Sequence, residues 1–442
     1  MDFLYRLLTA AGMFVLAPYY ALRGRARGEP WRLVGERLGR LPPEITARAS
    51  VAREGGAVWI HAVSVGEVLA AKPLVGALKQ CFPGHGLFLS TTTETGRRLA
   101  RERLPCADGI FYFPLDWVVP VRRALRSIRP TLVIVMETEI WPNFLREARR
   151  RAIPVVFANA RISEKSFARY RRWKFLVGEF FERVLQDAEL FLAQTPEDAT
   201  RLREMGAPAD RIEVTGNLKF DCEPPALARF GRWLGEQVER QERWPVLVAG
   251  SVVAEEEESV LAAYDIVQRR WRRALLILAP RNPDRFDSAA DAVGTRGWTA
   301  IRRSRLDLRA ALDENADVLV VDSIGELAGL YSLADAVFVG GSLVPAGGHN
   351  ILEPAWFSKP PVFGPSMENF RQMASQFLAA RAGIQVTSGQ QLGKVWVELI
   401  EDRGLGERMG HRARELSERN RGATARSLTR IAALLETEGH AS

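Results

Sequence analysis

Two glutamates follow an apolar run in the string METEIWPN, at the point where the run ends. Glu137 and Glu139 are separated by one residue, so both side chains point to the same side if the chain stays extended. Paired carboxylates at the end of a buried strand are suited to proton transfer and are typical of an active site. A structural ion pair with a nearby arginine would explain either glutamate taken alone.

Two other apolar runs end in residues that could bind an oxyanion or a sugar. In HAVSVGEV a strand turns into a helix, where free N–H groups could bind an oxyanion and Glu67 would be a first-turn residue. In TTTETGRR a run of hydroxyls precedes arginine, which would form a shelf for a sugar or a phosphate. The same threonines could instead cap a helix. The candidates from these two strings are Ser64, Gly66, Thr91, Thr92, Thr93 and Arg97.

A glycine-rich stretch, GGSLVPAGGHNILEP, follows another apolar run. Its glycines tolerate positive φ and would let backbone N–H groups approach a bound anion, with Gly347 and Gly348 among the candidates. Asn350 could hold a phosphate or a ribose hydroxyl. Glu353 could accept two hydrogen bonds from a ribose diol, in the first turn of a helix predicted over residues 351–356.

A further arginine points to the same kind of ligand. In APRNPDRF, Arg281 stands just past an apolar run and would present a fixed fork to a phosphate or a carboxylate. The chain has neither GxGxxG after a first strand nor a Walker GxxxxGK[ST] string, which argues against an NAD enzyme and an NTPase. A glycine loop with a carboxylate and an arginine therefore favours a nucleotide-sugar site.

The elements that must position these residues alternate between short apolar runs and amphipathic helical stretches. Apolar runs predict one set of strands at 58–63, 87–91, 110–113, 132–136, 155–158, 190–194 and 212–215. A second set is predicted at 246–250, 275–280, 318–322, 336–340, 362–364 and 384–387. The pattern predicts an α/β protein with two Rossmann-like doubly wound domains, parallel sheets and a central cleft at the carboxyl ends of the strands.

Composition limits the classes of function. The 442 residues suit two domains, and the net charge of +8 suits anionic lipid or phosphorylated small molecules. The chain has three scattered cysteines and five histidines without metal-ligand spacing, so we expect neither a metal nor another cofactor. No nucleic-acid-binding motif is present, so we expect no nucleic acid partner.

The first 26 residues predict a membrane anchor. An apolar run over residues 7–22 is followed by a cluster of arginines, an arrangement that suits the anionic cytoplasmic leaflet. A cleaved signal peptide and a buried core helix are the alternatives. The weakly charged start and the missing cleavage site count against the signal peptide, and the arginine flank counts against both.

Taken together, these strings resemble the lipid-A Kdo transferases, which move 3-deoxy-D-manno-octulosonic acid (Kdo) from CMP-Kdo to the lipid A precursor lipid IVA. The strings extend in the same order to about residue 370 and include WIHAVSVGEV, VVFANARISEKSFARY, VTGNLKFD and FGPSMENF. The resemblance implies a glycosyltransferase-B fold, with an acceptor domain over 27–222 and a CMP-Kdo domain over 223–442 whose last helix can pack back on the first domain. It also implies a metal-independent, inverting enzyme of lipopolysaccharide synthesis on the cytoplasmic face of the inner membrane.

The resemblance also assigns roles to residues. The general base is Glu36 in WRLVGERLG, and a second essential acid is Glu137 or Glu139. Nucleotide ligands are Arg281, Asn350 and Glu353. Further donor contacts are expected at Gly250, Ser251, Pro280, Gly325, Glu326 and Leu327. The string GSVVAEEEE departs from the family, because valines stand at 252 and 253 where a histidine is common.

Two other classes of protein remain open at this point. One is a related two-domain nucleotide-sugar enzyme such as an epimerase, against which the anchor counts because such enzymes are soluble. The other is a non-catalytic ligand-binding protein on the membrane surface, against which the retained glutamates count. The number of Kdo residues transferred, the phosphorylation of the acceptor and the oligomeric state are left open.

Overall fold

The structure is a computed structural model, and it describes residues 31–51 and 56–439. The chain divides into two compact units. The first comprises the described residues up to Cys222 together with those from Asn420 onwards, and the second is Glu223–Arg419. The predicted anchor over residues 1–26 lies outside the described residues. None of the helices in the described part of the chain is both long enough and apolar enough to cross a membrane.

The first unit is built on a parallel sheet of seven strands in the order β3-β2-β1-β4-β5-β6-β7. The strands are β1 Ala57–His61, β2 Gly86–Thr91, β3 Gly109–Tyr112, β4 Leu132–Met136, β5 Val155–Ala160, β6 Leu190–Ala193 and β7 Ile212–Val214. Its helices are α1 Trp31–Arg37, α2 Pro43–Val51, α3 Val65–Cys81, α4 Glu94–Arg103, α5 Val118–Ile128, α6 Pro142–Arg149, α7 Glu164–Leu185 and α8 Pro196–Glu204.

The second unit is built on another seven-stranded parallel sheet, in the order β10-β11-β9-β8-β12-β13-β14. The strands are β8 Val246–Val252, β9 Leu275–Pro280, β10 Ala300–Arg302, β11 Val318–Val320, β12 Ala336–Val339, β13 Val362–Phe363 and β14 Ile384–Gln385. The helices are α9 Arg229–Arg240, α10 Glu257–Arg270, α11 Phe286–Thr295, α12 Leu327–Leu330, α13 Leu352–Ala355, α14 Arg371–Ala379, α15 Gly389–Glu401 and α16 Arg403–Arg419.

Both faces of each sheet are buried, which explains why the strands are continuous apolar runs. In β1, Trp59 packs into one hydrophobic cluster while its neighbours Val58 and Ile60 pack into the cluster on the opposite face. In β8, Leu247 and Val248 divide in the same way between two clusters of the second unit. The prediction of two parallel α/β sheets is thus confirmed.

The last helix, α17 Ala423–Gly439, belongs to the first unit although it follows the second along the chain. Its residues Ala423, Ile431 and Leu435 are buried in the same hydrophobic cluster as Val58 of β1. The carboxylate of Asp221 accepts hydrogen bonds from the backbone N–H groups of Gly422 and Thr424 just before and within the helix start. The first unit is therefore assembled from both ends of the described chain.

Candidate active site

The first sheet reverses its strand order between β1 and β4, and three glutamates follow these two strands. In parallel α/β sheets, ligands bind at the carboxyl ends of the strands where the order reverses. Glu67 lies in the first turn of α3, after β1, while Glu137 and Glu139 follow β4. The structure therefore brings the two predicted acids together with a third carboxylate, for which the sequence had indicated only a first-turn role.

Glu67 has the most perturbed carboxyl of this group. Its Oε2 accepts a hydrogen bond from the backbone N–H of Val63 at 2.8 Å, and its Oε1 accepts one from the Ser64 hydroxyl at 2.9 Å. Ser64 also caps α3, because its hydroxyl oxygen accepts the N–H of Glu67. Burial, assisted by the nearby charge of Glu137, raises the pKa of Glu67 to about 7.

The other two glutamates differ in their partners. Glu137 adopts the left-handed conformation with φ of 54°, which few non-glycine residues do, and its Oε1 lies 3.2 Å from Lys219 Nζ. Burial and the charge of Glu137 raise the pKa of Glu139 above its usual range. Three carboxylates and one ammonium group thus share this edge of the sheet, an arrangement that can accept or relay a proton near neutral pH.

Glu36 is placed in a buried ion pair. Only 1% of its surface is exposed; Oε1 lies 3.0 Å from Arg97 Nη2, and Oε2 accepts the backbone N–H of Tyr112 at 3.0 Å. The Arg97 guanidinium also lies over the Tyr112 ring, 4.6 Å from its centroid. The structure therefore joins two predicted site residues, Glu36 and Arg97, as partners of each other.

The predicted shelf of hydroxyls is used within the protein itself, which corrects the expectation from TTTETGRR. Thr93 caps α4 by accepting the N–H of Gly96 at 3.1 Å. The hydroxyls of Thr92 and Thr93 donate to the backbone oxygen of Val63, and that of buried Thr91 donates to the backbone oxygen of Thr93. Helix capping and loop closure are thus the observed roles of these threonines, while Gly66 lies exposed in the first turn of α3.

The second sheet reverses its order between β8 and β12, and charged residues gather beside that point. Arg281 follows β9, and its positive charge acts on both His349 and Glu353. Burial raises the pKa of Glu353 to about 7, opposed by a hydrogen bond at 3.4 Å from Asn350 and by the charge of Arg281. Burial and Arg281 lower the pKa of His349 to about 4, so its imidazole is neutral at physiological pH. These residues can bind a phosphate, a ribose or both.

The glycine-rich loop corrects a second expectation, because an internal carboxylate occupies its amides. Glu256 is fully buried, and its two oxygens accept the N–H groups of Gly341, Ser342 and Leu343 at 2.6, 2.7 and 2.6 Å. Further along, the Gly347 N–H donates to the Ser366 hydroxyl at 3.0 Å and the Gly348 N–H to the Gly341 backbone oxygen at 2.6 Å. These amides are therefore not free to bind an anion in this conformation.

The helix expected after this loop is a single turn, α13, over Leu352–Ala355. So short a helix has only a small dipole. Its N-terminus would therefore stabilise a bound anion much less than the sequence analysis expected. The glycines at 347 and 348 do have positive φ, of 87° and 75°, as the sequence suggested.

The remaining predicted donor contacts surround the same edge of the second sheet. Gly250 ends the part of β8 that pairs with β12, and a Cβ there would overlap the Tyr331 hydroxyl, so glycine is required. Ser251 has φ of 56° and Pro280 is the last residue of β9. The last three predicted contacts lie at the start of α12: Gly325 and Glu326 precede the helix, and Leu327 is its first residue. Gly325 is exposed, and Glu326 forms an ion pair with Arg303 at 3.0 Å.

The sequence did not indicate a chemical role for three residues at the strand ends of the two sheets, namely Glu67, Lys219 and His349. Glu67 and Lys219 lie in the strings HAVSVGEV and VTGNLKFD, each just after a strand, so the rule on carboxyl ends of strands could have found them. His349 was visible beside Asn350, but only its burial and its unpartnered Nε2 in the described structure draw attention to it. In the described residues, no group of three or more His, Cys, Asp or Glu side chains is arranged to hold a metal ion.

Comparison with known proteins identifies one family for most of the chain. A family model described as 3-Deoxy-D-manno-octulosonic-acid transferase (kdotransferase) matches residues 32–222. A 3-deoxy-D-manno-octulosonic acid transferase of Haemophilus influenzae is 35% identical over 383 residues, covering 86% of this chain and 87% of that protein. One of Bordetella pertussis is 34% identical over 420 residues, covering 92% of this chain and 93% of that protein.

Solved structures resemble the chain at the level of the fold. A putative UDP-N-acetylglucosamine 2-epimerase of Listeria monocytogenes has a TM-score of 0.58 at 12% identity, covering 86% of this chain and 97% of that one. The MnaA protein of S. aureus, solved with UDP, has a TM-score of 0.55 at 15% identity over the same shares. Such low identities support the two-domain α/β fold alone.

Proposed function

Because the chain belongs to the 3-deoxy-D-manno-octulosonic acid (Kdo) transferase family, we propose that it moves Kdo from CMP-Kdo onto lipid IVA, the lipid A precursor. The chain is a glycosyltransferase. The donor nucleotide, the lipid acceptor and a site on the cytoplasmic face of the inner membrane are the parts that this proposal adds. The predicted anchor over residues 1–26 would hold the enzyme at that membrane.

The observation that carries the donor part is the grouping of Arg281, Asn350 and Glu353 beside the strand reversal of the second sheet. Arg281 would bind the phosphate of CMP as a charged fork, and Glu353 would accept hydrogen bonds from the ribose diol. The neutral imidazole of His349 has a buried Nε2 without a partner among the described residues, and it would complete the phosphate contacts.

The chemistry needs stabilisation of a leaving phosphate and removal of one proton. The acceptor hydroxyl attacks the anomeric carbon of Kdo, the bond from that carbon to the CMP phosphate breaks, and the hydroxyl proton passes to a base. A single displacement of this kind inverts the anomeric configuration. Arg281 would stabilise the charge that builds on the departing phosphate, a task for which fixed donors are effective.

Glu36 is our proposal for the base, following the resemblance, and its surroundings set a condition on that role. Both carboxylate oxygens are engaged, by Arg97 and by the Tyr112 N–H, so acceptor binding must release one of them. Glu67 is the competing candidate from geometry. Its pKa of about 7 suits proton transfer at neutral pH, and it lies beside Glu137 at the reversal point of the first sheet.

Mass spectrometry of lipid IVA after incubation with the purified full-length protein and CMP-Kdo tests the proposal. Lipid IVA should gain the mass of one or more Kdo residues, and CMP should be released in equal amount. Arg281→Ala should reduce the rate strongly, while Arg272→Ala, which changes an exposed arginine of the same unit, should not. Conversion of the sugar nucleotide to an epimer without any change in the lipid would instead identify an epimerase.

A further inference from the structure

The middle of α7 is exposed on every side. Helix α7 has 22 residues, and its two ends are fixed to the first unit by Tyr170 near one end and by Val184 and Leu185 at the other. Residues 171–176 between them are all exposed. Six consecutive residues exceed one and a half helical turns, so no face of this stretch, hereafter the α7 midsection, is buried against the unit. An ordinary surface helix buries one face along its whole length.

The apolar side chains of the α7 midsection are large. Trp173, Phe175 and Leu176 are 48%, 82% and 52% exposed. In the part of the chain that the structure describes, Trp173 and Phe175 are the large aromatic side chains that are exposed. Large apolar groups gathered on one exposed stretch mark an interaction surface rather than ordinary variation in surface composition.

The charges of the same stretch are uniform. Arg171, Arg172 and Lys174 are basic, as is Arg169 shortly before the stretch, and the helix has no acidic residue between Glu164 and Glu179. Within the described part of the chain, none of these four cations forms an ion pair. By contrast, Arg183 further along α7 pairs with Glu179 at 3.1 Å. The α7 midsection therefore combines unneutralised positive charge with exposed tryptophan, phenylalanine and leucine.

We infer that the α7 midsection is a docking surface for an anionic lipid bilayer, independent of the N-terminal segment. Aromatic and leucine side chains enter the boundary between headgroups and acyl chains, while lysine and arginine stay among anionic headgroups. A second copy of the chain would have to supply acidic groups to match the cations. The inference goes beyond the proposed function, because it concerns where the first unit meets the bilayer, whatever sugar the enzyme transfers.

Vesicle binding by the full-length protein tests the electrostatic part. The probes are phosphatidylcholine vesicles with and without phosphatidylglycerol, separated by flotation. Changing three cations of the α7 midsection to glutamine should weaken binding to the anionic vesicles on the order of 10- to 100-fold. These cations are Arg171, Arg172 and Lys174. The control changes three exposed cations of the second unit to glutamine and loses the same charge; they are Arg229, Arg272 and Lys394.

Equal binding by the two glutamine variants would overturn the inference, since the effect would then follow from net charge alone. A second variant tests the apolar part: replacing Trp173, Phe175 and Leu176 by serine should also weaken binding to the anionic vesicles. Its control replaces Val119 and Ile324, which are exposed elsewhere, by serine.

A spectroscopic measurement keeps the test decisive if a triple variant fails to fold. Brominated lipids quench tryptophan at the depth of the bromine, and the difference between the wild type and Trp173→Phe isolates Trp173 from the other ten tryptophans. Quenching of Trp173 in anionic vesicles is the expected result, and its absence would overturn the inference. A concentration-dependent dimer lost in the variants would assign the surface to a second copy instead. Kdo transfer to detergent-dispersed lipid IVA should be unchanged in every folded variant, so failure of the docking inference and of the proposed function are distinguishable.

Discussion

Replacing Glu36 by glutamine should affect the stability of the first unit as well as the rate of Kdo transfer. The Glu36 carboxylate is fully enclosed and neutralises Arg97, whose side chain is only 9% exposed. Glutamine keeps the size and one acceptor oxygen but carries no charge. Its NH2 group would also face one of the two donors, the Arg97 guanidinium or the Tyr112 N–H.

The magnitude follows from the burial of the pair. Removing one partner of a buried ion pair costs about 3–5 kcal/mol, and the retained acceptor reduces this to about 2–4 kcal/mol. For a unit of this size, 1 kcal/mol shifts the melting temperature by roughly 2–4 °C, so the first unit should melt about 5–15 °C lower. If Glu36 is also the base, transfer should fall by roughly 10²–10⁴-fold at temperatures where the variant is still folded.

Hydrogen exchange followed by mass spectrometry separates the two effects, because the units need not unfold together. Peptides covering β3 contain the Tyr112 N–H, which donates a hydrogen bond to Glu36 in the wild type. Their amide hydrogens should exchange faster in the variant. A double-mutant cycle with Arg97→Met should give a coupling of about 2 kcal/mol or more. Unchanged exchange at β3 together with an unchanged melting temperature would refute the reasoning about the buried pair. Near-normal transfer by a folded variant would remove Glu36 as base and leave the carboxylates after β1 and β4.

Three further changes have expected outcomes. Glu67→Gln should be more stable than the wild type at pH 8 and equal to it at pH 4. A carboxyl pKa raised from 4.5 in the unfolded chain to about 7 in the folded chain makes the wild type lose stability as the pH rises from about 4.5 to about 7, on the order of 3 kcal/mol at most. Urea unfolding at both pH values measures this, and the same difference at each pH contradicts it. Arg281→Ala should weaken CMP binding by about 1.5–3 kcal/mol in calorimetry, whereas unchanged affinity would remove Arg281 from the donor site. Gly250→Ala should destabilise the second unit by about 1–3 kcal/mol through overlap with the Tyr331 hydroxyl, and adding Tyr331→Phe should recover part of the loss; a melting temperature equal to that of the wild type would show that the strand adapts.

The sequence predicted the sheets well because their strands are buried on both faces. Each run of Val, Ile and Leu had to be a strand of a covered parallel sheet, since no surface helix needs apolar residues at every position. The exception is β10, Ala300–Arg302, a three-residue edge strand that is partly exposed and therefore leaves no apolar run. The short β13 was predicted because Val362 and Phe363 are both apolar, and β14 because apolar Ile384 and Val386 alternate with polar residues.

The edges that carry the candidate site were predictable, but the partners of individual side chains were not. The sequence placed Glu137, Asn350 and Glu353 at these edges because ligands of parallel sheets bind where the strands end. The pairing of Glu36 with Arg97 joins residues 61 positions apart, and no local pattern encodes it. The same holds for Glu256, which stands in a run of four glutamates that looks like a solvated helix start but is itself fully buried.

The Glu256 carboxylate acts on the glycine-rich loop as a tethered ligand. A free anion binding three consecutive amides would lose translational freedom on every encounter, whereas a carboxylate attached to the chain is present at high effective concentration. The first part of the loop, Gly341 to Leu343, is consequently shaped during folding and not by the arrival of substrate. A ligand that bound beside this part of the loop would therefore meet a surface that is already in place.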